Sequence, residues 1–320
     1  MAHELEQMAY IGETPWHGLG NVMKENGTLE EWTSAAGLDW EVSKRPVQYN
    51  TQNNHVFPAE TLSFKDRFVL ARTTDDKPYA VVSGRYKPVQ PREIIEFFRD
   101  LVGDMGMTIE TAGSLRDGKR VWALAKTGDA HKVMGVDEVG SYLMLATSYD
   151  LTFSTLAQFT SVRVVCNNTL QQSFNQHTGR VTIPHFREFD IEAVKTELGI
   201  GKSNWEAFTN TLDTLAKIKL DVAKATEVAN KVFRVDPTIV SKDNAVNIQH
   251  ASKVVDLFSG RAIGADIAGE TAWGLVNATT EYLDQHKRAR NAGNRLDSAW
   301  FGDSFATKQR VVDECLLLAA

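Results

Sequence analysis

MTIETAGSLRDGKRVWALAK, residues 107–126, is two extended runs joined by Arg116-Asp117-Gly118. Asp-Gly between alternating segments marks a tight hairpin, because both residues accept the positive φ that such a turn requires. The stretch predicts paired antiparallel strands, and its neighbours extend the prediction. Upstream, RFVLART (67–73) and KPYAVVSGRY (77–86) flank the polar turn Thr74-Asp75-Asp76. Pro91 then opens PREIIEFFRDLVG, where Ile94, Ile95, Phe97, Phe98 and Leu101 line one side of a helix and proline suits its first turn. Downstream, SYLMLATSY (141–149) and TFSTLAQFTSVRVVC (152–166) form a third strand pair.

The periodicity changes near residue 186. SNWEAFTNTLDTLAKIKLDVAKATEVANKVF (203–233) places Trp205, Phe208, Leu212, Leu215, Ile218, Val222 and Val228 at spacings of mostly three and four, which predicts helix from a capping-box start at Ser203 and Glu206. GETAWGLVNATTEYLDQHKRAR (269–290) predicts another helix running into a basic stretch. The fold class is therefore α+β: an antiparallel sheet with helices packed on one face over about 40–185, followed by a mostly helical region over 186–320 packed on that core. Residues 1–39 form an N-terminal loop and helix segment containing PWHGLG.

Composition narrows the function classes. Of the 320 residues, 42% are hydrophobic and 24% charged, ordinary globular values, and the net charge of −6 gives no global basic field. A nucleic-acid site would have to be a local stripe. No apolar run reaches the roughly 20 residues that span a bilayer. The polar, acidic start MAHELEQMAY does not read as an export signal. Cys166 and Cys315 form no CxxC pair, and a reducing cytoplasm is expected. No Walker, dinucleotide, HExxH or GxSxG motif occurs, so no cofactor and no metal is expected.

Three segments carry candidate chemistry. In SVRVVCNNTLQQ (161–172), strand parity sets Arg163 beside Phe159 and Ala157, and turns Cys166 into the core with Val162 and Val164. Asn168 followed by Gln171 fits an N-cap, so a helix is expected to open there, either as a plain corner or as an anion site near Arg163. In TPWHGLG (14–20), Trp16 reads as a plug against the sheet or His17 as a general base. A hydrolase reading would bring His17, Cys166 and His185 together.

The third signal is basic. Arg85, Tyr86 and Lys87 end one strand, Arg116, Lys119 and Arg120 surround the hairpin turn, and Arg120 shares a strand face with Trp122. Single-stranded nucleic acid is held by cations that track phosphates and aromatics on which bases stack. Tyr86, Trp122 and Phe159 are the expected platforms, and Arg85, Lys87, Arg116, Lys119, Arg120 and Arg163 the phosphate contacts. HKRARNAGNR (286–295) adds Lys287, Arg288 and Arg290 as a local basic patch that could hold phosphate.

With TPWHGLG, GSLRDGKRVWALAK, VRVVCNNTL, TAWGLVNATTEYLDQH and SAWFG in order, the chain from about residue 10 onward resembles the phage/plasmid-like protein family of unknown function. That resemblance implies a mobile-element gene acting in the bacterial cytoplasm and supplies no catalytic residues. The order of hairpins, helix and helical tail is similar to that of phage single-strand annealing proteins, which form rings or filaments, although no signature motif carries that likeness. The expectation is a homo-oligomeric, non-membrane protein that binds and anneals single-stranded DNA without ATP in recombination or replication. The rival expectations are a host-interaction protein, anti-defence or regulatory, that binds no DNA, and the Cys/His-dependent hydrolase.

Overall fold

A computed structural model describes residues 5–12, 20–24, 27–52, 60–163, 168–171, 180–198, 202–290 and 292–319. In chain order they form β1 (Leu5–Tyr10), β2 (Asn21–Val22), α1 (Leu29–Ala35), β3 (Val42–Asn50), β4 (Thr61–Arg72), β5 (Pro78–Val82) and α2 (Pro91–Met105). There follow β6 (Thr108–Leu115), β7 (Arg120–Val133), β8 (Asp137–Ser148), β9 (Thr155–Arg163), β10 (Asn168–Gln171) and β11 (Arg180–Ile183). The rest is helical: α3 (Ile191–Glu197), α4 (Lys202–Lys217), α5 (Val222–Val232), α6 (Lys242–Asp256), α7 (Ala265–Ala268), α8 (Ala272–Glu281), α9 (Ala292–Phe301) and α10 (Asp303–Leu316). Two wider π turns, Leu257–Arg261 and Tyr282–His286, continue α6 and α8. Among the described residues no helix is long and apolar enough to cross a membrane.

The expected α+β architecture is present. Its main sheet runs β10-β9-β8-β7-β6-β1-β2, with β11 also on β9, and it is antiparallel except for the β1–β2 pair. The Asp-Gly hairpin closes as its sequence predicts: Arg116, Asp117 and Gly118 all have positive φ, and Leu115 pairs with Arg120. In α2, Pro91 occupies the first turn, the Glu93 carboxylate accepts from the Gln90 amide at 2.5 Å, and the Gln90 side chain instead ties the helix start to β3 by accepting from the Val42 amide at 2.8 Å. Gly106 ends the helix in the left-handed conformation that glycine adopts without a Cβ clash.

Both faces of the sheet are covered. On one, Ala112, Ala123, Leu143, Leu145, Ala157 and Phe159 pack in one cluster with Ile94, Ile95, Phe97 and Phe98 of α2. On the other, Met8, Trp122, Leu124, Met144 and Leu156 pack with Ala299 and Trp300 of α9. A third core joins the helices and takes in Val133 and Val139, which lie where β7 and β8 reach into the helical part. The helical part is thus continuous with the sheet.

Two expectations are corrected. The single helix over 203–233 is two helices, because Ile218–Leu220 pairs with the chain before α8: Leu220 N–H donates to the Glu270 carbonyl at 3.0 Å and Ala272 N–H to that of Ile218 at 2.8 Å. Asp221 then caps α5 through the Lys224 amide at 2.7 Å. Asn168 opens a strand rather than a helix. β10 pairs antiparallel with β9, Asn168 opposite Arg163 and Gln171 opposite Thr160, so ladder bonding takes up the backbone groups that a helix start would have left for caps.

A smaller sheet, β3-β4-β5, projects a ribbon whose outer half is exposed on both strands. There Tyr49 lies opposite Leu62, the pairing slips between Pro46 and Gln48, and Asp66 on the bulged strand has φ 54°.

Candidate functional site

The basic and aromatic residues expected around the hairpin are built into the fold. Trp122 is 1% exposed and meets Trp300 edge to face at 4.5 Å, while Phe159 lies in the core beneath α2. Tyr86 is buried, stacked on His185 at 4.7 Å, with its hydroxyl donating to the Ser148 carbonyl at 3.2 Å. None of the three offers a face on which a base could stack. Parity foretold that Arg120 and Trp122 share a face, but not that α9 covers it.

The cations of the hairpin are largely neutralised. Arg120, buried, forms an ion pair with Asp297 of α9, lies 3.8 Å from Asp150, and covers the Phe153 ring at 5.4 Å. Arg116 binds the other oxygen of Asp297 at 2.8 Å. Lys87 is bonded to Glu188 at 2.5 Å, which holds that carboxyl below its usual range. Lys119 is half-buried and Arg85 exposed. Arg163 pairs by its backbone with Asn168 and with Val139.

Of the hydrolase set, His17 and Cys166 lie outside the described residues, as does Trp16. His185 lies beneath Tyr86 with Nε2 at 3.3 Å from the Phe153 carbonyl. A carbonyl can only accept, so Nε2 carries the proton, and burial keeps the ring's pKa below the ordinary histidine value. Among the described residues no group of three or more His, Cys, Asp or Glu could hold a metal ion.

The remaining basic segment forms a cleft. Lys287, Arg288, Arg290 and Arg295 line a cavity of about 200 Å³ with Asn294, Ser298 and Ser304, and Leu283 forms part of its wall. Its frame is fixed from three sides. Asp284 in the π turn pairs with Lys308 of α10 at 2.5 Å, both nearly buried. Arg295 of α9 donates to the Gln285 carbonyl, and His286 contacts the buried Glu281 carboxylate at 3.1 Å. On the floor, the Ser298 and Ser304 hydroxyls are 2.9 Å apart.

The electrostatics are uneven. Arg288 and Arg290 are exposed, whereas Lys287 is half-buried, and burial lowers its pKa against the opposing pull of Asp303. A cation withdrawn from water is stabilised by an anion placed beside it. The sequence shows the four cations; the π turn that gathers them has no sequence signature, although such turns recur at functional sites.

Exposed aromatics do occur elsewhere: Phe186 after β11, and two on the β3–β4 ribbon. Tyr49 and Phe64 are each about half exposed, and the ribbon carries Lys44, Arg45, Lys65 and Arg67. Lys44 is tied to the Gly84 carbonyl at 2.8 Å and Arg45 to Asp76 at 2.8 Å.

Neither a curated protein nor a solved structure matches this chain. A family does: the domain of unknown function DUF932 matches residues 78–300, from β5 through the cleft-lining α9 and excluding β3, β4 and α10. The chain therefore belongs to the DUF932 family.

Proposed function

We propose that this protein binds single-stranded nucleic acid, DNA in the first instance, through phosphate contacts in the cleft of Lys287, Arg288, Arg290 and Arg295. The observation that carries this reading is the convergence of four cations on one framed cavity in a chain of net charge −6. Cations that neutralise phosphates release counterions, so such binding needs no nucleotide hydrolysis and weakens with salt. In this reading the activity serves annealing or replication of mobile-element DNA in a bacterial cytoplasm, and what supports that part is the resemblance to phage/plasmid-like proteins. A homo-oligomer would lay several clefts along one strand.

The test is fluorescence anisotropy on a labelled single-stranded oligonucleotide from about 50 to about 200 mM salt, with light scattering on the same sample. Salt-sensitive binding that is lost on replacing Arg288 and Arg290 by glutamine supports the reading. No binding at the lowest salt overturns it and turns attention to host proteins as partners.

A further inference from the structure

The cleft has a charge and size that distinguish between kinds of phosphate. An internal phosphodiester carries one negative charge, whereas a phosphate monoester carries about −1.5 to −2 at neutral pH and three acceptor oxygens. Four cationic side chains converge on the cavity, more than a single diester charge needs. Its volume of about 200 Å³ is below the roughly 300–1,000 Å³ of sites that enclose a whole small molecule, so it suits a small anionic group rather than a complete nucleotide.

The donors are varied. Arg288 and Arg290 bring planar guanidinium forks suited to phosphate oxygens, and Lys287 brings a compact point charge. Ser298 and Ser304 add hydroxyls on the floor, and Ser304 is almost fully buried. The Ser304 amide points back to the Ser298 hydroxyl at 3.4 Å, in the first turn of α10, whose N-cap Gly302 supplies no side chain. Asp303 is the carboxylate that acts on Lys287 and Arg310. The π turn that precedes Lys287 is pinned by the Lys308–Asp284 pair and by Arg295, so Lys287 and Arg295 sit on a fixed frame while the exposed Arg288 and Arg290 reach the cavity from the segment after the turn.

We infer that the cleft is a receptor for a phosphate monoester dianion, and that its ligand is the phosphorylated end of a nucleic-acid strand rather than an internal backbone phosphate. This rests on the nucleic-acid reading above and narrows it. It makes the protein a reader of strand ends, the sites from which single strands are processed and annealed.

The full-length protein is titrated against oligonucleotides of one sequence that end in a 5′-phosphate, a 3′-phosphate or hydroxyls only. One phosphorylated end is expected to bind about tenfold tighter or more, the effect of a set of charge-assisted hydrogen bonds. That advantage should vanish in Arg288→Gln/Arg290→Gln and shrink as pH falls through the second phosphate pKa near 6. Equal affinity for all three ends overturns the inference while leaving nucleic-acid binding intact. A second measurement, thermal unfolding with phenyl phosphate, separates the two claims. Protection by phenyl phosphate, lost in the double variant and unaccompanied by oligonucleotide binding, supports a monoester site and overturns the nucleic-acid ligand. Failure of both ligands overturns the site.

Discussion

Arg120 of β7 and Asp297 of α9 form a buried ion pair, each side chain less than a tenth exposed. Arg116 joins the same carboxylate from the hairpin turn at 2.8 Å, so one aspartate ties the sheet's hairpin to the helix that covers it. Asp297→Ala would leave a buried guanidinium without this carboxylate and is expected to cost about 3–5 kcal/mol, measured by urea unfolding. Arg116→Ala, removing the more exposed partner, should cost distinctly less. Equal losses would show that the pair does not dominate the contact.

Trp122 tests the placement of the aromatics. Buried against Trp300, it is expected to lose about 3–5 kcal/mol of stability as alanine and to leave oligonucleotide affinity unchanged in the folded fraction. Tyr49→Ala or Phe64→Ala should show the opposite pattern if bases stack on the ribbon, with little change in stability and weaker binding. Melting curves and anisotropy on the same preparations decide it.

The salt dependence of binding reports the cleft directly. For a single strand, each phosphate contact removed should reduce the slope of log K against log salt by about 0.7. Arg288→Gln and Arg290→Gln alter exposed side chains, so each should lower the slope while leaving the unfolding midpoint in place. An unchanged slope would exclude both residues from phosphate contact.

Stability should fall under mild acid. Burial depresses the pKa of His185, so between its folded value and the ordinary value near 6.5 the unfolded chain holds a proton that the folded chain does not. The stabilisation is fully present above that ordinary value and is lost as pH falls through the window. His250, depressed by burial and by Lys287, acts in the same direction. His185→Phe should therefore reduce the acid slope of the unfolding free energy without abolishing it, and an unaltered slope would place the titration elsewhere.

Cys315 lies fully buried in the helical core, where burial, with Glu314 adding to it, pushes its thiol up to about 12. In a Cys166→Ser background it should resist alkylation at neutral pH and react only as fast as the protein unfolds. Mass spectrometry of timed samples gives that rate, and rapid labelling under native conditions would contradict the burial.

The fold was legible where local chemistry decides it. Arg116-Asp117-Gly118 specifies a turn on its own, and Pro91 with Ile94, Ile95, Phe97 and Phe98 specifies a helix and its buried side. It was illegible where distant segments decide. Alternation sets Trp122 apart from Val121 and Ala123, but only α9, far along the chain, makes both faces interior. The helical pattern over 203–233 holds for Phe208, Leu212, Leu215 and Val228, which are buried, but Val222 is exposed, α4 already begins at Lys202 ahead of the expected cap Ser203, and the chain before α8 breaks the run. Asn168 has a capping side chain, yet β9 offers its neighbours a complete ladder. For the cleft, the cations Lys287, Arg288, Arg290 and Arg295 could be read directly, whereas the cavity depends on a π turn and on Asp284 meeting Lys308.

The ribbon's proline has a consequence of another kind. β3 is an outer strand of its sheet, and a long flat outer strand with exposed apolar side chains is a template on which further chains can stack into fibrils. Pro46 has no N–H to offer such a stack, and the slipped pairing beside it bends the strand out of a flat profile. Tyr49, Leu62 and Phe64 can therefore stay in water without seeding aggregation, and Pro46→Thr would be the substitution that turns this exposed surface into a solubility liability.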